Sequence, residues 1–427
     1  MPSQHARRVV VTGYGAVTNL GHDAASTWEG MREGRSGITP ITGDAFKNWP
    51  EEQWPVRIGG EINGWDPTSR IDRREAKRLD RFAQLGITAG IEAWEQSGLS
   101  IDNEQPDRCG CIVGSGVGGI QTIEDSVATL LGKGPNRISP FTVPRLMANA
   151  IAGDLSIRFG LEGPSGSHTT ACASSGHSIG DALAIIRRDE ADVILAGGSE
   201  GAVSPLCLGS FMTMKALSTR NDDPAAASRP FDRDRDGFVL AEGGAILVLE
   251  ELEHAKARGA TIYAEILGFA ASSDAYHITA PDEGGKGASK AMTNAMKDAG
   301  INTSDVHYIN AHGTSTPLGD VAEVNAVTKV FGDHAIKSKG GSLLMSSSKS
   351  MTGHCLGASG GVEMISCLGA INQGIVTPTI NCDNPDAAFD MDFVPHEARE
   401  AKVNVALNNT FGFGGHNVSI AVGKFDG

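Results

Sequence analysis

The feature that most constrains this fold is an alternation of short apolar runs with amphipathic stretches, which occurs twice. Val9-Val10-Val11-Thr12 reads as a buried strand closing at Gly13-Tyr14-Gly15, and residues 76–97 carry helical spacing. Cys111-Ile112-Val113, Ala191 to Ala196 and Ala245 to Leu249 read as further strands, and 251–259 as a short helix. The pattern then restarts. Strands are predicted at 263–267 and 306–310, helices at 287–299 and 320–330, and two closing apolar runs at 403–407 and 418–422. Strands alternating with helices mean an α/β protein. Two successive units of similar size point to a duplication, with the join near Glu250 to Gly259 and halves 1–255 and 256–427. No sequence repeat accompanies it, so the reading rests on architecture alone.

Composition narrows the function classes. A chain of 427 residues, 40% of them hydrophobic, can bury a large core. A net charge of -15 excludes general nucleic-acid binding. No apolar run reaches membrane-helix length, and the amino terminus lacks a signal-like apolar core. Seven dispersed cysteines are not a disulfide framework, so reduced thiols and a cytoplasmic location are expected. Cys109 and Cys111 flank one glycine with no second pair to complete a zinc site, and no metal is expected.

Three motifs invite readings that the rest of the chain does not support. Gly114-Ser115-Gly116-Val117-Gly118-Gly119 fits a dinucleotide fingerprint after a strand, but no acidic residue ends a second strand about twenty residues on. Asp232-Arg233-Asp234-Arg235-Asp236-Gly237 begins like a calcium loop, yet Gly243 stands where the closing Glu belongs. A salt-bridged turn is the expectation there. The charge run Asp72 to Arg78 reads by default as a solvated face.

Chemistry concentrates in three small-residue loops. Cys172 lies in Thr169-Thr170-Ala171-Cys172-Ala173-Ser174-Ser175-Gly176, just before Ile179, Leu183 and Ile186 mark a helix. A thiol at a helix start is expected to have a lowered pKa. His312 lies in Asn310-Ala311-His312-Gly313-Thr314-Ser315-Thr316-Pro317, at the end of an apolar strand where α/β proteins place reactive groups. Lys349 and His354 share Ser348-Lys349-Ser350-Met351-Thr352-Gly353-His354. A Cys, two His and a Lys, spread over three small-residue loops, suit nucleophilic catalysis with hydrogen-bond donors beside it.

These segments resemble the signature regions of the β-ketoacyl-acyl-carrier-protein synthases, and the likeness covers nearly the whole chain. It includes Arg229-Pro230-Phe231-Asp232, Asp236-Gly237-Phe238-Val239 and Asn409 to Gly415. Ser273 to His277 favours the synthase II branch, while His354 disfavours the chain-initiating branch, which has Asn there. The resemblance implies a thiolase-like fold of two similar halves in layered α-β-α-β-α arrangement, and a homodimer. It implies decarboxylative condensation of acyl-carrier with malonyl-carrier, with no resident cofactor because phosphopantetheine arrives on the acyl carrier protein.

Site roles follow from the same likeness. Cys172 is the nucleophile, with the backbone N–H groups of Cys172 and Phe413 as the oxyanion hole. His312 and His354 are the donors to the enolate, and Phe413 is also a gate. Lys349 is an electrostatic organiser beside Asp320 and Glu363. Thr314 and Thr316 match positions that bind the phosphopantetheine arm, and Val117 matches the acyl-pocket wall. Arg74, Lys77, Arg78 and Lys215, together with Arg137, match positions near the pocket mouth that form the carrier-docking patch. His416 stands where many relatives carry Thr. A discrete polyketide-type ketosynthase is the rival reading; a non-catalytic chain-length partner is remote because such subunits lack the nucleophile.

Overall fold

Each apolar run read as a strand belongs to one sheet, joined by two short strands that lack a periodic signal. The computed structural model describes residues 7–48 and 50–427. Residues 1–6, part of the amino-terminal stretch read for a signal sequence, lie outside it. The first half contributes β1 (Val9–Thr18), β2 (Cys109–Gly114), β3 (Ser165–Gly166), β4 (Val193–Glu200) and β5 (Gly243–Glu251). The second contributes β6 (Ala264–Ser273), β7 (Tyr308–Asn310), β8 (Leu344–Ser346), β9 (Val405–Gly412) and β10 (His416–Gly423).

Across the sheet the order is β8-β7-β9-β10-β6-β1-β5-β4-β2-β3. Counted from its own first strand, each half reads third, second, fourth, fifth, first. Directions match as well. The first and fifth strands, and the fifth and fourth, run antiparallel in both halves; the remaining pairs run parallel. The halves meet through β1 and β6, where Val10 pairs with Glu265 and Val11 with Ala264. The duplication read from the order of elements is therefore present in topology, without a residue-level repeat.

Helices α1 (Arg81–Ser97) and α2 (Ala150–Phe159) cover the first half, and α4 (Lys286–Ala299) and α5 (Pro317–Phe331) cover the second. Between the halves lie α3 (Ser174–Arg187) and α6 (Ser359–Gln373), which touch each other and strands of both halves. Their composition explains the position. All residues of α6 from Ser359 to Ile371 are buried, and a helix apolar on every side belongs inside. On α3, Ile179, Leu183 and Ile186 are at most 1% exposed, and each such side chain contributes roughly 1.5–3 kcal/mol of burial.

Two of the boundaries that differ from expectation have a clear physical cause. β1 does not stop at Gly13-Tyr14-Gly15 but passes through a bulge between Val11 and Gly13 and continues to Thr18. Those glycines serve packing: a Cβ at Gly13 would lie 2.3 Å from Ala93 O, and one at Gly15 2.2 Å from Ala89 O, so their absence lets α1 lie on the strand. The predicted 76–97 helix breaks before α1, because Asp80 caps α1 at Phe82 N while its other oxygen accepts from Thr122 N at 2.8 Å and Thr122 Oγ1 at 2.6 Å. The calcium-like loop is a salt-bridged turn, with Asp232 on Arg229 at 3.1 Å and Arg235 on Asp386 at 3.2 Å.

Candidate active site

The two middle helices each begin with a tight 3-10 turn, and these turns position the chemistry. Ala171–Ala173 precedes α3 and carries Cys172; Leu356–Ala358 precedes α6, two residues beyond His354. His354 is clamped from the other side by the Asp236–Val239 motif region. Its N–H donates to Val239 O at 2.7 Å, its carbonyl accepts from Ala241 N at 3.0 Å, and Phe238 packs edge-on against its ring at 5.4 Å. His354 Nδ1 lies 3.0 Å from Ser359 Oγ, which turns Nε2 toward Cys172 Sγ, also 3.0 Å away.

His312 enters from the loop after β7. Its backbone N–H donates to Glu323 Oε1 at 2.8 Å, and that of Gly313 to Glu323 Oε2 at 2.7 Å. The His312 and His354 rings stand nearly perpendicular with centroids 5.3 Å apart. Cys172 Sγ and one ring nitrogen from each histidine lie within 4.8 Å of one another, so all three can act on one reacting group. A soft metal ion would find three ligands in the same place.

The electrostatics correct one sequence expectation. Burial pushes the Cys172 thiol up to about 12, while Lys349 and the backbone N–H groups of Phe413 and Cys172 pull it back only in part. Desolvation outweighs the helix start, because the sulfur sits in a buried turn rather than on an exposed first helical turn. Burial also holds both His312 and His354 well below the usual imidazole range, reinforced by Lys349. The resting site is thus a thiol beside two neutral imidazoles.

Lys349 is 1% exposed and ion-paired with buried Glu363, as expected from the likeness. Asp320 belongs elsewhere. It accepts from Phe231 N at 2.8 Å and Ser315 N at 3.1 Å and faces Arg235 at 3.7 Å. Besides Glu363, the carboxylate that feels Lys349 is Glu323, pushed up to about 7 by burial. Sequence reasoning missed Glu323 and Ser359. Glu323 has a retrospective signal, a single acid inside the apolar helix stretch Val321-Ala322-Glu323-Val324.

A cavity of about 470 Å³ opens onto Cys172 and both histidines. Val117, Lys215, Thr314, Thr316 and Phe413 line it. Thr314 and Thr316 hydroxyls are 3.0 Å apart, and Thr316 also caps α5 through Gly319 N. Gly412 runs so close to the nucleophile turn that a Cβ there would lie 3.1 Å from Cys172 N. Arg74, Lys77 and Arg78 are exposed at the short helix Arg73–Ala76 and do not line the cavity; Arg137 is also exposed. His416 is not among the residues lining the cavity, and its ring stands edge-on to that of His177 with centroids 6.2 Å apart.

Sequence and structure comparisons agree with this geometry. Residues 6–255 match the model for the beta-ketoacyl synthase N-terminal domain, and residues 263–383 that for the C-terminal domain. The chain belongs to the beta-ketoacyl synthase family. It is 47% identical over 425 residues to a 3-oxoacyl-[acyl-carrier-protein] synthase 2 of Synechocystis sp., covering 100% of both chains. Against a protein of the same name from Coxiella burnetii it is 46% identical, covering 98% of this chain and 99% of the other. Among solved structures, a beta-ketoacyl synthase from Burkholderia phymatum superposes with a TM-score of 0.88 at 33% identity, covering 98% of this chain and 100% of that one. A type II polyketide ketosynthase, solved in complex with its acyl-carrier protein, gives 0.89 at 32% identity with the same coverage. Both neighbours share the fold derived above. Among the described residues, no helix is long and apolar enough to cross a membrane.

Proposed function

We propose that this family member is an elongating 3-oxoacyl-acyl-carrier-protein synthase of fatty-acid synthesis. The observation that carries the reading is the 3.0 Å contact of Cys172 Sγ with neutral His354, with His312 in the same cavity. As the sulfur attacks the acyl thioester, its proton passes to His354 Nε2 and then to the departing carrier thiolate. The backbone N–H groups of Cys172 and Phe413 stabilise the tetrahedral oxyanion. The malonyl thioester then binds, and its carboxylate leaves as CO2. His312 donates a hydrogen bond to the thioester oxygen as the enolate forms, and His354 joins it with its proton moved to Nε2, Ser359 Oγ then donating to the bared Nδ1. The enolate carbon attacks the Cys172 thioester, releasing a 3-keto chain two carbons longer and the Cys172 thiolate, which takes up a proton from solvent. Loss of CO2 drives bond formation, so the chemistry calls for no redox or metal cofactor.

Thr314 and Thr316 hold the phosphopantetheine arm, and Val117 walls the acyl pocket. Lys349 acts through its field on Cys172 and the two histidines rather than as a base, since its amine is committed to Glu363. The acyl carrier protein docks at Lys215 on the cavity rim, with Arg74, Lys77 and Arg78 as a second basic contact. The enzyme works in the cytoplasm as a homodimer. Supporting the dimer, Leu131, Val143 and Ile157 are 82%, 61% and 86% exposed on helices that pack in series, beside the sheet edge at β3.

Mass spectrometry of the enzyme incubated with acyl-carrier and malonyl-carrier tests the reading. The expected result is an acyl adduct on Cys172 and a product two carbons longer; no adduct and no CO2 would refute it. A discrete polyketide ketosynthase carries the same residues, and repeated extension without reduction would identify one.

A further inference from the structure

The glycine loop after β2 is not explained by the reaction, and the group it surrounds is a side chain of the protein itself. Glu200, the last residue of β4, is 0% exposed. Its Oε1 accepts from Ser115 Oγ at 2.9 Å and Val117 N at 3.2 Å. Its Oε2 accepts from Gly116 N at 2.7 Å and from Gly357 N at 3.0 Å. The backbone cradle that mimics a phosphate loop therefore closes on an internal carboxylate. No cation pairs with Glu200 among the described residues, so hydrogen bonds alone hold it.

Those four bonds tie together parts with different jobs. Val117 lines the acyl cavity, whereas Gly357 belongs to the turn next to His354. The glycines are required by the carboxylate: a Cβ at Gly116 or at Gly357 would lie 2.8 Å from Glu200 Oε2. The Gly116 position would also come within 3.3 Å of Ala171 O, in the nucleophile turn. Two loops thus bond one buried carboxylate, and the turn that carries Cys172 packs against one of them at Gly116; a charge on Glu200 also raises the Cys172 thiol.

We propose that Glu200 is a positioning residue that locks the acyl-pocket wall at Val117 to the His354 turn, keeping pocket shape and nucleophile geometry in register. The inference rests on the condensing reading for its substrate, but not for its readout at Cys172. In Glu200→Gln an amide N–H₂ replaces one oxygen and faces backbone donors, so at least one strut to the loops fails. A long acyl chain reaches the displaced wall; an acetyl group does not.

The test compares Glu200→Gln, Ser115→Ala and wild type on carrier-bound acyl chains from acetyl to palmitoyl, and follows alkylation of Cys172 by iodoacetamide against pH. For Glu200→Gln, kcat/KM falls about tenfold on the longest chain and less than about twofold on acetyl. Its alkylation curve also moves to lower pH, because a negative charge beside the sulfur has gone. Ser115→Ala removes one strut without touching the charge, and shows the same chain-length trend with a smaller amplitude. Should Glu200→Gln fail to fold, Ser115→Ala carries the decision. An equal fall at every length with an unmoved alkylation curve overturns the proposal. Wild type that elongates nothing overturns the functional reading instead, while the alkylation shift still decides Glu200.

Discussion

The turn before α3 and the turn before α6 are the same device in the two halves. Each is a three-residue 3-10 turn that runs directly into a buried helix. Each opens on a non-glycine residue in the left-handed region, Ala171 at φ 51° and Leu356 at φ 43°. Such residues cost about 1–3 kcal/mol each and persist where the surroundings hold them. The difference lies at the second position, Cys172 in one half and Gly357 in the other. One turn presents a sulfur to the cavity. Its counterpart presents a bare N–H to Glu200 and supports His354, which leans across the pseudo-symmetric seam onto that sulfur. Equivalent turns of the two halves thus bring Cys172 and His354 into contact at one cavity.

Changing Cys172 should break this comparison most severely. Cys172→Ser should lower acyl transfer by on the order of 10³-fold or more, with no adduct by mass spectrometry. His312→Ala should separate the halves of the reaction, leaving Cys172 acylation near wild type while condensation falls roughly 10²–10⁴-fold in single-turnover assays. Lys349→Met leaves Glu363 buried without its cation, and denaturant titration should show a loss of about 3–5 kcal/mol. Gly357→Ala places a Cβ 2.2 Å from Gly116 N and should cost about 1–3 kcal/mol, seen as a lower Tm.

Two pH experiments sharpen the comparison by smaller effects. With the thiol pushed up to about 12, Cys172 alkylation should climb with pH through about 9 without a plateau; a plateau by neutral pH would mean a preformed thiolate–imidazolium pair. At the join between halves, His254 bonds Glu250 at 2.7 Å and Glu104 at 2.8 Å, while Arg258 shares Glu250. Its pKa is raised from 6.5, first by the Glu250 hydrogen bond. A raised folded value means the stabilisation is complete below about pH 6.5 and lost as pH rises through the folded pKa. His254→Gln should flatten that slope in denaturation midpoints followed from about pH 5.5 to 9.

The sequence made different parts of the molecule legible to different degrees. Strands with continuous Val and Ile runs, such as β1 and β4, announce themselves because both faces are buried. β3 and β8, of two and three residues, carry no periodicity at all. The loops bearing Cys172, His312, Lys349 and His354 stand out because catalytic groups need small neighbours for access. Ser359 and Glu200 do not, and Glu323 shows only as a lone acid in an apolar helix stretch, because the groups these side chains bond lie outside their own elements. The Cys172 pKa was misjudged for the same reason: a helix start is visible in sequence, whereas burial is not.

From the sequence alone follow the α/β class, the doubled architecture and the four residue types that carry the chemistry, because hydrophobic period and reactive side chains are local properties. The tertiary structure decided which carboxylate faces which loop, that the thiol rests protonated, and that the nucleotide-like glycines enclose an acid of the protein's own. Those outcomes depend on desolvation and on contacts between residues far apart in the chain, and both arise only when the two halves close on α3 and α6.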